Sequence, residues 1–243
     1  MPSNAAQDTT RPRLTRSGVV RIVTVFASML VTAALFFGAA GTIALPRAWL
    51  YYGSLLAYML VALPVMWVRF PGAIEVINER GKLAKEGVKA WDKAFAIAST
   101  LLLLAMHPLA GLDAGRFHWS QVPALLAPPA VAVVLLATVL GQWAMVVNRW
   151  AETGVRIQAD RHQQVVSSGP YARVRHPFYV ASILMHLGYP LAVGSLWALL
   201  PALAMVALYV WRTGREDETL RAELPGYAAY ATRVRYRLLP GLW

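Results

Sequence analysis

Two short charged clusters flank one long apolar run near the end of this chain. Arg175-His176-Pro177 with Tyr179 opens the run, and Arg212 with Glu216, Asp217 and Glu218 closes it. A guanidinium is a planar fork for carboxylates, an imidazole or phenol offers hydrogen bonds and a flat face, and a carboxylate accepts from cations and hydroxyls. One cluster therefore brings cations and an imidazole, the other carboxylates, a set suited to a charged ligand. Charge beside hydrocarbon is costly unless it is paired, solvated or used. Plainer readings exist for each cluster alone: a basic membrane flank with a helix-starting proline, and a helix N-terminus whose dipole favours acids. Neither accounts for both clusters if they meet.

Whether they meet depends on the run between them. Phe178–Val210 as one helix would be about 50 Å long, too long for a single crossing of a bilayer. Gly188, Pro190 and Gly194 interrupt it, and such residues turn a chain back on itself. The expected form is a helical hairpin with arms Phe178–Tyr189 and Gly194–Arg212, which returns to the side it left and brings the two clusters to one face.

The rest of the chain sets that face. Its 243 residues are 58% hydrophobic and only 14% charged, against roughly a quarter charged in ordinary globular chains. The net charge of +11 is read as membrane flanks rather than a nucleic-acid footprint. Four further apolar stretches precede the hairpin: Ile22–Leu45, Ala48–Val68, Ala94–Leu112 and Val122–Val147. With the hairpin counted as two, all Lys and Arg except Arg47 and Arg116 fall in alternate segments. Positive charge collects on the cytoplasmic side, so both termini and both long loops are expected there. Trp49, Trp67, Trp119, Trp150 and Trp211 sit at the expected span ends, as an aromatic belt requires.

The expectation is an all-α integral membrane protein of about six transmembrane helices. It divides into an N-terminal cytoplasmic tail (1–21), a four-helix region (22–147) and a site-bearing region (148–243). The first 21 residues resemble the opening of a signal peptide, but the run that follows is long enough to be a retained anchor. Leu220, Leu224, Tyr227 and Tyr230 recur at helical spacing, so the tail is expected to be amphipathic, broken near Pro225-Gly226, with one face packed on the membrane core or headgroups. There is no cysteine, which excludes disulfides and thiolate metal sites. His107, His118, His162 and His186 are scattered and read as packed or interfacial side chains, so no metal is expected. No glycine-rich nucleotide-binding pattern is present.

At this point the sequence resembles the isoprenylcysteine carboxyl methyltransferase and phospholipid methyltransferase superfamily of membrane enzymes. The resemblance runs from about Gln163 to Trp243. It rests on an ordered set: Gln163, Val165-Val166, Ser167-Ser168-Gly169-Pro170-Tyr171, Arg175-His176-Pro177, Tyr179, Arg212, Glu216-Asp217, Leu220, Tyr227, Tyr230 and Pro240. Gln163 stands where the carboxyl methyltransferases usually have histidine, and Asp217 is one methylene shorter than the family's second glutamate. The stretch 79–93 looks like that of bacterial members, which implies a bacterial inner membrane.

The resemblance implies S-adenosylmethionine as methyl donor, leaving as S-adenosylhomocysteine, bound at the cytoplasmic end of the hairpin. Arg175 and Glu216 are then the expected catalytic pair. Gln163, Val165, Val166, Gly169, Tyr171, His176, Tyr179, Arg212 and Asp217 are expected to hold the donor: Asp217 with Glu216 on its cationic or hydroxyl parts, Arg212 with Arg175 on its carboxylate. His176 and Tyr179 would offer hydrogen bonds or a stacking face, and the backbone around Val165–Gly169 would meet the adenine edge. The expected acceptor is a lipophilic small molecule or lipidated group, methylated on a carboxylate in preference to an amine, with the bilayer as the other partner. Two rivals stay open: an NADPH-dependent sterol- or steroid-type membrane reductase, and a non-catalytic scaffold or transporter. A transporter should carry polar residues deep in its spans, and Gln142 is about the only strong candidate.

Overall fold

The computed structural model describes residues 13–80 and 86–243; residues 1–12 of the expected N-terminal tail, and 81–85 within the 79–93 stretch, lie outside the described residues. Among the described residues every regular element is helical. Helix α1 (Arg16–Ala40) starts where the Thr15 side chain accepts from the Gly18 N–H, and stops at Gly41, whose φ of 71° is a left-handed cap. That cap ends the helix before the expected Leu45. α2 (Pro46–Arg69) begins on a proline, and α3 is the short helix Pro71–Arg80. α4 (Ala90–Gly111) runs on as a wider π turn, Leu112–Phe117. α5 (Ala127–Val147) follows a short 3₁₀ turn.

The hairpin is present, with different bounds. α6 (Pro177–Val193) continues through Gly188 and Pro190 and turns only at Gly194, whose φ is 91°. Gly188 serves close approach rather than a break: a Cβ there would lie 2.6 Å from the Val134 side chain on α5. α7 (Leu199–Glu223) does not stop at Arg212 but carries the acidic cluster along its second half. Glu216, Asp217 and Glu218 therefore sit well inside a helix, not at its N-terminus. After a turn at Gly226, with φ 81°, the seven-residue α8 (Tyr227–Arg233) follows.

Among the described residues four helical segments are long and apolar enough to cross a membrane, namely Arg16–Ala40, Pro46–Arg69, Ala90–Phe117 and Ala124–Val147, while α6 is a shorter apolar helix. The hairpin turn nevertheless reaches the same end of the bundle as the α1–α2 and α4–α5 connections. There Arg47 donates to the carbonyls of Leu191, Ala192 and Val122, at 2.7, 3.3 and 2.6 Å. Asp113 accepts from the hydroxyls of Ser120 and Ser195 and from the backbone N–H of Ser120 and Trp197. The core at that end is built from Phe36, Tyr51, Tyr52, Met106, Val134, Tyr189 and small residues.

The tail corrects one expectation. Leu224, Tyr227, Tyr230 and Ala231 are buried, with Leu220 beside them, against Ile157, Val165 and Val234. The apolar face of the tail covers the 148–176 loop, so its partner is protein rather than membrane core or headgroups. The loop is irregular and cannot bury its own apolar side chains; the tail is the surface that does so.

α1 and α4 approach so closely that a Cβ on Gly111 would stand 2.1 Å from the Phe36 carbonyl oxygen. Backbone cannot yield cheaply, and overpacking of this kind costs about 1–3 kcal/mol. Gly111→Val is expected to lower the thermal midpoint of the detergent-solubilised protein accordingly. Gly38→Ala, on an open stretch of α1 with nothing within 4 Å of the added Cβ, is expected to leave it level or raise it.

Candidate active site

The two charged clusters meet. The Asp217 carboxylate is fully buried on α7, and Arg175, just before α6, grips it with Nε on Oδ1 at 2.7 Å and Nη2 on Oδ2 at 3.0 Å. Tyr227 donates its hydroxyl to Oδ1 at 2.9 Å, and Arg221 and Arg237 each place Nε 3.0 Å from Oδ2. His176 Nε2 stands 3.5 Å from Oδ1. Burial works against this charge, but the hydrogen bonds from His176, Arg175 and Arg221 outweigh it and hold the carboxyl well below the usual range. Burial and the Asp217 charge push the Tyr227 phenol upward.

Arg175 also pins the tail. Its Nη1 donates to the carbonyls of Val234 and Arg235 at 2.7 and 2.6 Å. The backbone N–H groups of Arg175 and His176 donate to the carbonyls of Tyr236 and Arg237. A second buried pair lies nearby: Arg212 on α7 with Asp92 at the start of α4, Nε to Oδ1 at 2.8 Å. Arg212 Nη2 also donates to the Thr153 carbonyl at 3.0 Å, and Asp92 Oδ2 accepts from the Val155 N–H at 2.6 Å. The Arg212 guanidinium lies over the rings of Phe95 and Tyr179, 4.3 and 5.2 Å from their centroids.

Between these pairs opens a cavity of about 370 Å³. Glu216, one residue before Asp217, lines it and accepts from the Tyr179 hydroxyl. The rings of His176 and Tyr179 are stacked, with centroids 5.6 Å apart and planes within 4°. Of the residues singled out from the sequence, Gln163, Val165, Val166, Tyr171, Arg175, His176, Tyr179, Arg212 and Glu216 line this cavity. Gly169 and Asp217 stand behind its wall. Gly169 has a φ of 57°, where glycine is favoured, and packs under Val147 and Trp143. Tyr171 is buried in the loop, which pushes its phenol up to about 12. Gln163 Oε1 accepts from the Gln158 N–H at 2.8 Å.

Further parts of the cavity wall come from Arg80, Phe95, Ser99, Thr100 and the loop around Trp150–Arg156, none of which the sequence marked as a site residue. Asp92 stands behind them, holding Arg212. The signal for Asp92 was a lone acid at the mouth of an apolar stretch, a position that asks for a partner. Arg80 donates Nη1 to the Ala151 carbonyl at 2.9 Å, and its guanidinium lies 5.4 Å from the centre of the Phe178 ring. Burial, with the nearby Arg21 and Arg212 charges, lowers it to about 10, so it remains a cation at neutral pH. Among the described residues no group of three or more His, Asp or Glu could hold a metal ion.

Removing the Asp217 charge strands buried Arg175, a loss of about 3–5 kcal/mol for such pairs. Asp217→Asn should free the tail for protease cleavage beyond Gly226, whereas exposed Glu218→Gln should leave the digest unchanged. Because the Asp217 pKa is lower folded than unfolded, its contribution is whole above the ordinary carboxylate value of about 4 and drains only as pH falls further. Tail docking should thus be flat between about pH 5 and 8, and a loss centred there would contradict the assignment.

Comparison with known proteins points the same way. Residues 126–224 match the model of a family described as phospholipid methyltransferase. Over 130 residues the chain is 34% identical to the cobalt-zinc-cadmium resistance protein CzcN of Cupriavidus metallidurans, covering 52% of this chain and 56% of that protein. The chain thus spans about half the length of the curated relative it matches. The stretch running from α5 through the loop to the end of α7, which supplies most of the cavity wall, is the part of the chain that is similar to the phospholipid methyltransferase family.

Proposed function

We propose that this protein is a membrane methyltransferase that binds S-adenosylmethionine in the 370 Å³ cavity and methylates a lipophilic acceptor. The observation that carries the reading is the closure of the hairpin: Tyr179 from the start of α6 donates to Glu216 from the far half of α7, inside the segment that matches the family. The chemistry of the wall fits the donor. A sulfonium, an ammonium, a carboxylate, an adenine and ribose hydroxyls need acids, a cation, flat faces and free backbone, and the wall includes Glu216, Arg212, the His176–Tyr179 stack and the loop backbone around Val165.

When bound, the donor supplies an electrophilic methyl group on a good leaving sulfur. In-line displacement of this kind gains most from positioning, and the residues are suited to that task. Glu216 faces the cationic or hydroxyl parts, with Tyr179 fixing its orientation. Arg212, seated by Asp92, lends positive field to the carboxylate. Arg175, in the wall, and Asp217, behind it, act as supports: their donors and acceptors are committed to each other and to the tail, so they hold Glu216 and His176 in place. A carboxylate acceptor needs no base, whereas an amine would need one, for which Glu216 or His176 is at hand.

The same reading puts six crossings in the membrane with both termini in the cytoplasm. It is supported by the alternation of Lys and Arg and by the hairpin turn meeting the other connections at Arg47 and Asp113. Since the chain has no cysteine, single-cysteine labelling is clean. Glu86→Cys and Gly241→Cys should react from the cytoplasmic side and Gln121→Cys from the other; shared sidedness of all three would overturn the topology.

S-adenosylhomocysteine at 100 times its dissociation constant should stabilise the protein by about 2.7 kcal/mol, read as a thermal shift in detergent. Glu216→Gln should remove that shift without lowering the unliganded midpoint. Stabilisation by NADPH in place of S-adenosylhomocysteine would instead select the reductase reading.

A further inference from the structure

After α8 the chain runs beside the start of α6 and closes on itself. The Tyr236 and Arg237 carbonyls accept from the backbone N–H groups of Arg175 and His176, at 3.0 and 2.9 Å. The N–H groups of Arg237 and Leu238 donate to the Trp243 carbonyl, and those of Leu242 and Trp243 donate to the Leu239 carbonyl. Residues 236–243 are therefore a preformed loop, and its side chains divide between two faces. Leu238 is buried, whereas Leu239 and Leu242 point outward, 50% and 77% exposed, beside exposed Tyr236 and Trp243. The Arg237 guanidinium lies 4.8 Å from the centre of the Trp243 ring and fixes it.

Two observations say what covers this apolar tip. One is its level. The loop is bonded to His176, immediately before Pro177 opens the apolar α6, so it stands where the chain passes from water to hydrocarbon. Tryptophan and leucine beside arginine are the side chains of an interfacial anchor. The other is charge. From Leu224 to Trp243 the chain carries three arginines and no acid. Arg237, with Arg221, is committed to Asp217, whereas Arg173, Arg233 and Arg235 are exposed and among the described residues pair with no carboxylate. An apolar tip with an unanswered cationic rim complements a leaflet of anionic phospholipid, where the surface potential attracts the arginines and the leucines leave water. A second copy of the chain brings the same positive rim and is repelled.

We propose that the 236–243 loop docks on the headgroup region of the membrane, that anionic phospholipid holds it there, and that this docking steadies the charged site. The link is short. The loop backbone is bonded to Arg175 and His176, Arg175 Nη1 holds the Val234 and Arg235 carbonyls, and Arg237 reaches Asp217. A loop held by lipid keeps those groups in place, so leaflet charge acts on the cavity wall without any lipid entering the cavity. At headgroup depth Gly241 still meets water-borne reagents. The surface does not depend on the methyl-donor reading.

The test uses the full chain, whose lack of cysteine allows one dye at a chosen site. Leu242→Cys carrying nitrobenzoxadiazole, one copy per lipid nanodisc, is read by quenching from lipids with a nitroxide on the upper acyl chain. In discs of phosphatidylglycerol with phosphatidylcholine, quenching should exceed that of exposed Glu218→Cys at least threefold. In phosphatidylcholine alone it should fall by half or more. Arg233→Gln with Arg235→Gln leaves the backbone acceptors in place and should lower the mixed-lipid value to that of phosphatidylcholine; the same two changed to Lys should keep it. Backbone amides of residues 234–243 should exchange hydrogen at least threefold more slowly in the mixed discs. Equal quenching at 242 and 218, indifference to phosphatidylglycerol or to loss of the two arginines, or shielding of residue 242 only when two copies share a disc would each overturn the docking surface. Exchange that ignores the lipid while quenching follows it would overturn the steadying of the charged site.

Discussion

The arrangement at the charged end of the bundle depends on one buried carboxylate. Asp217 is wholly removed from solvent and is met by Arg175, Arg221, Arg237, Tyr227 and His176. A charge taken out of water is tolerated only when its partners are complete, so every segment that sends one is constrained. The start of α6, the second half of α7, α8 and the last residues of the tail are tied to a single point. The hairpin cannot splay, nor the tail leave, without stranding either the acid or the buried Arg175.

That constraint divides labour within the acidic cluster. Asp217 points into the protein, Glu216 lines the cavity, and Glu218 is exposed beside Arg215. Consecutive residues on a helix face in different directions, so three acids in a row serve three environments. Arg212 and Asp92 repeat the device on the far side of the Tyr179 ring. Together with Arg80 and Gln158 they satisfy the backbone of the irregular loop, at the Ala151, Thr153 and Trp150 carbonyls and the Val155 N–H. A loop without regular structure can line a cavity only if its polar backbone groups are answered in this way.

Much of this was legible because it rests on short-range signals. The length of the 178–210 run demanded a turn, and the ordered motif from Gln163 to Tyr230 marked the residues that gather round the cavity. Other features were hidden for physical reasons. Gly188 and Pro190 read as breakers, but Gly188 answers to Val134 on another helix, a contact with no local trace. α7 outruns Arg212 because pairs such as Asp217–Arg221, four apart, keep it helical after its apolar stretch ends. The tail's apolar face was clear from its spacing, but spacing does not say whether lipid or protein covers it. Asp92 and Arg80 lie in the charged 79–93 stretch, and their partners Arg212 and the Ala151 carbonyl are far away in sequence, so spacing could not say what either one holds.

The two ends of the bundle are fastened by polar contacts of opposite kinds. At the hairpin turn, Asp113 gathers serine hydroxyls and backbone N–H groups, and Arg47 gathers carbonyls; at the other end, ion pairs do the fastening. Such contacts are directional and hold fixed distances. The middle is held more sparsely: the Tyr58 hydroxyl donates to Gln142 between α2 and α5, and the Tyr52 and Tyr189 hydroxyls lie 3.4 Å apart. Around those contacts flexible methionine side chains surround open space, and where methionines alone form the wall its shape can change at small cost. Polar contacts concentrated at the ends, with compliant side chains between them, let one bundle hold its charged site fixed while its interior stays adaptable.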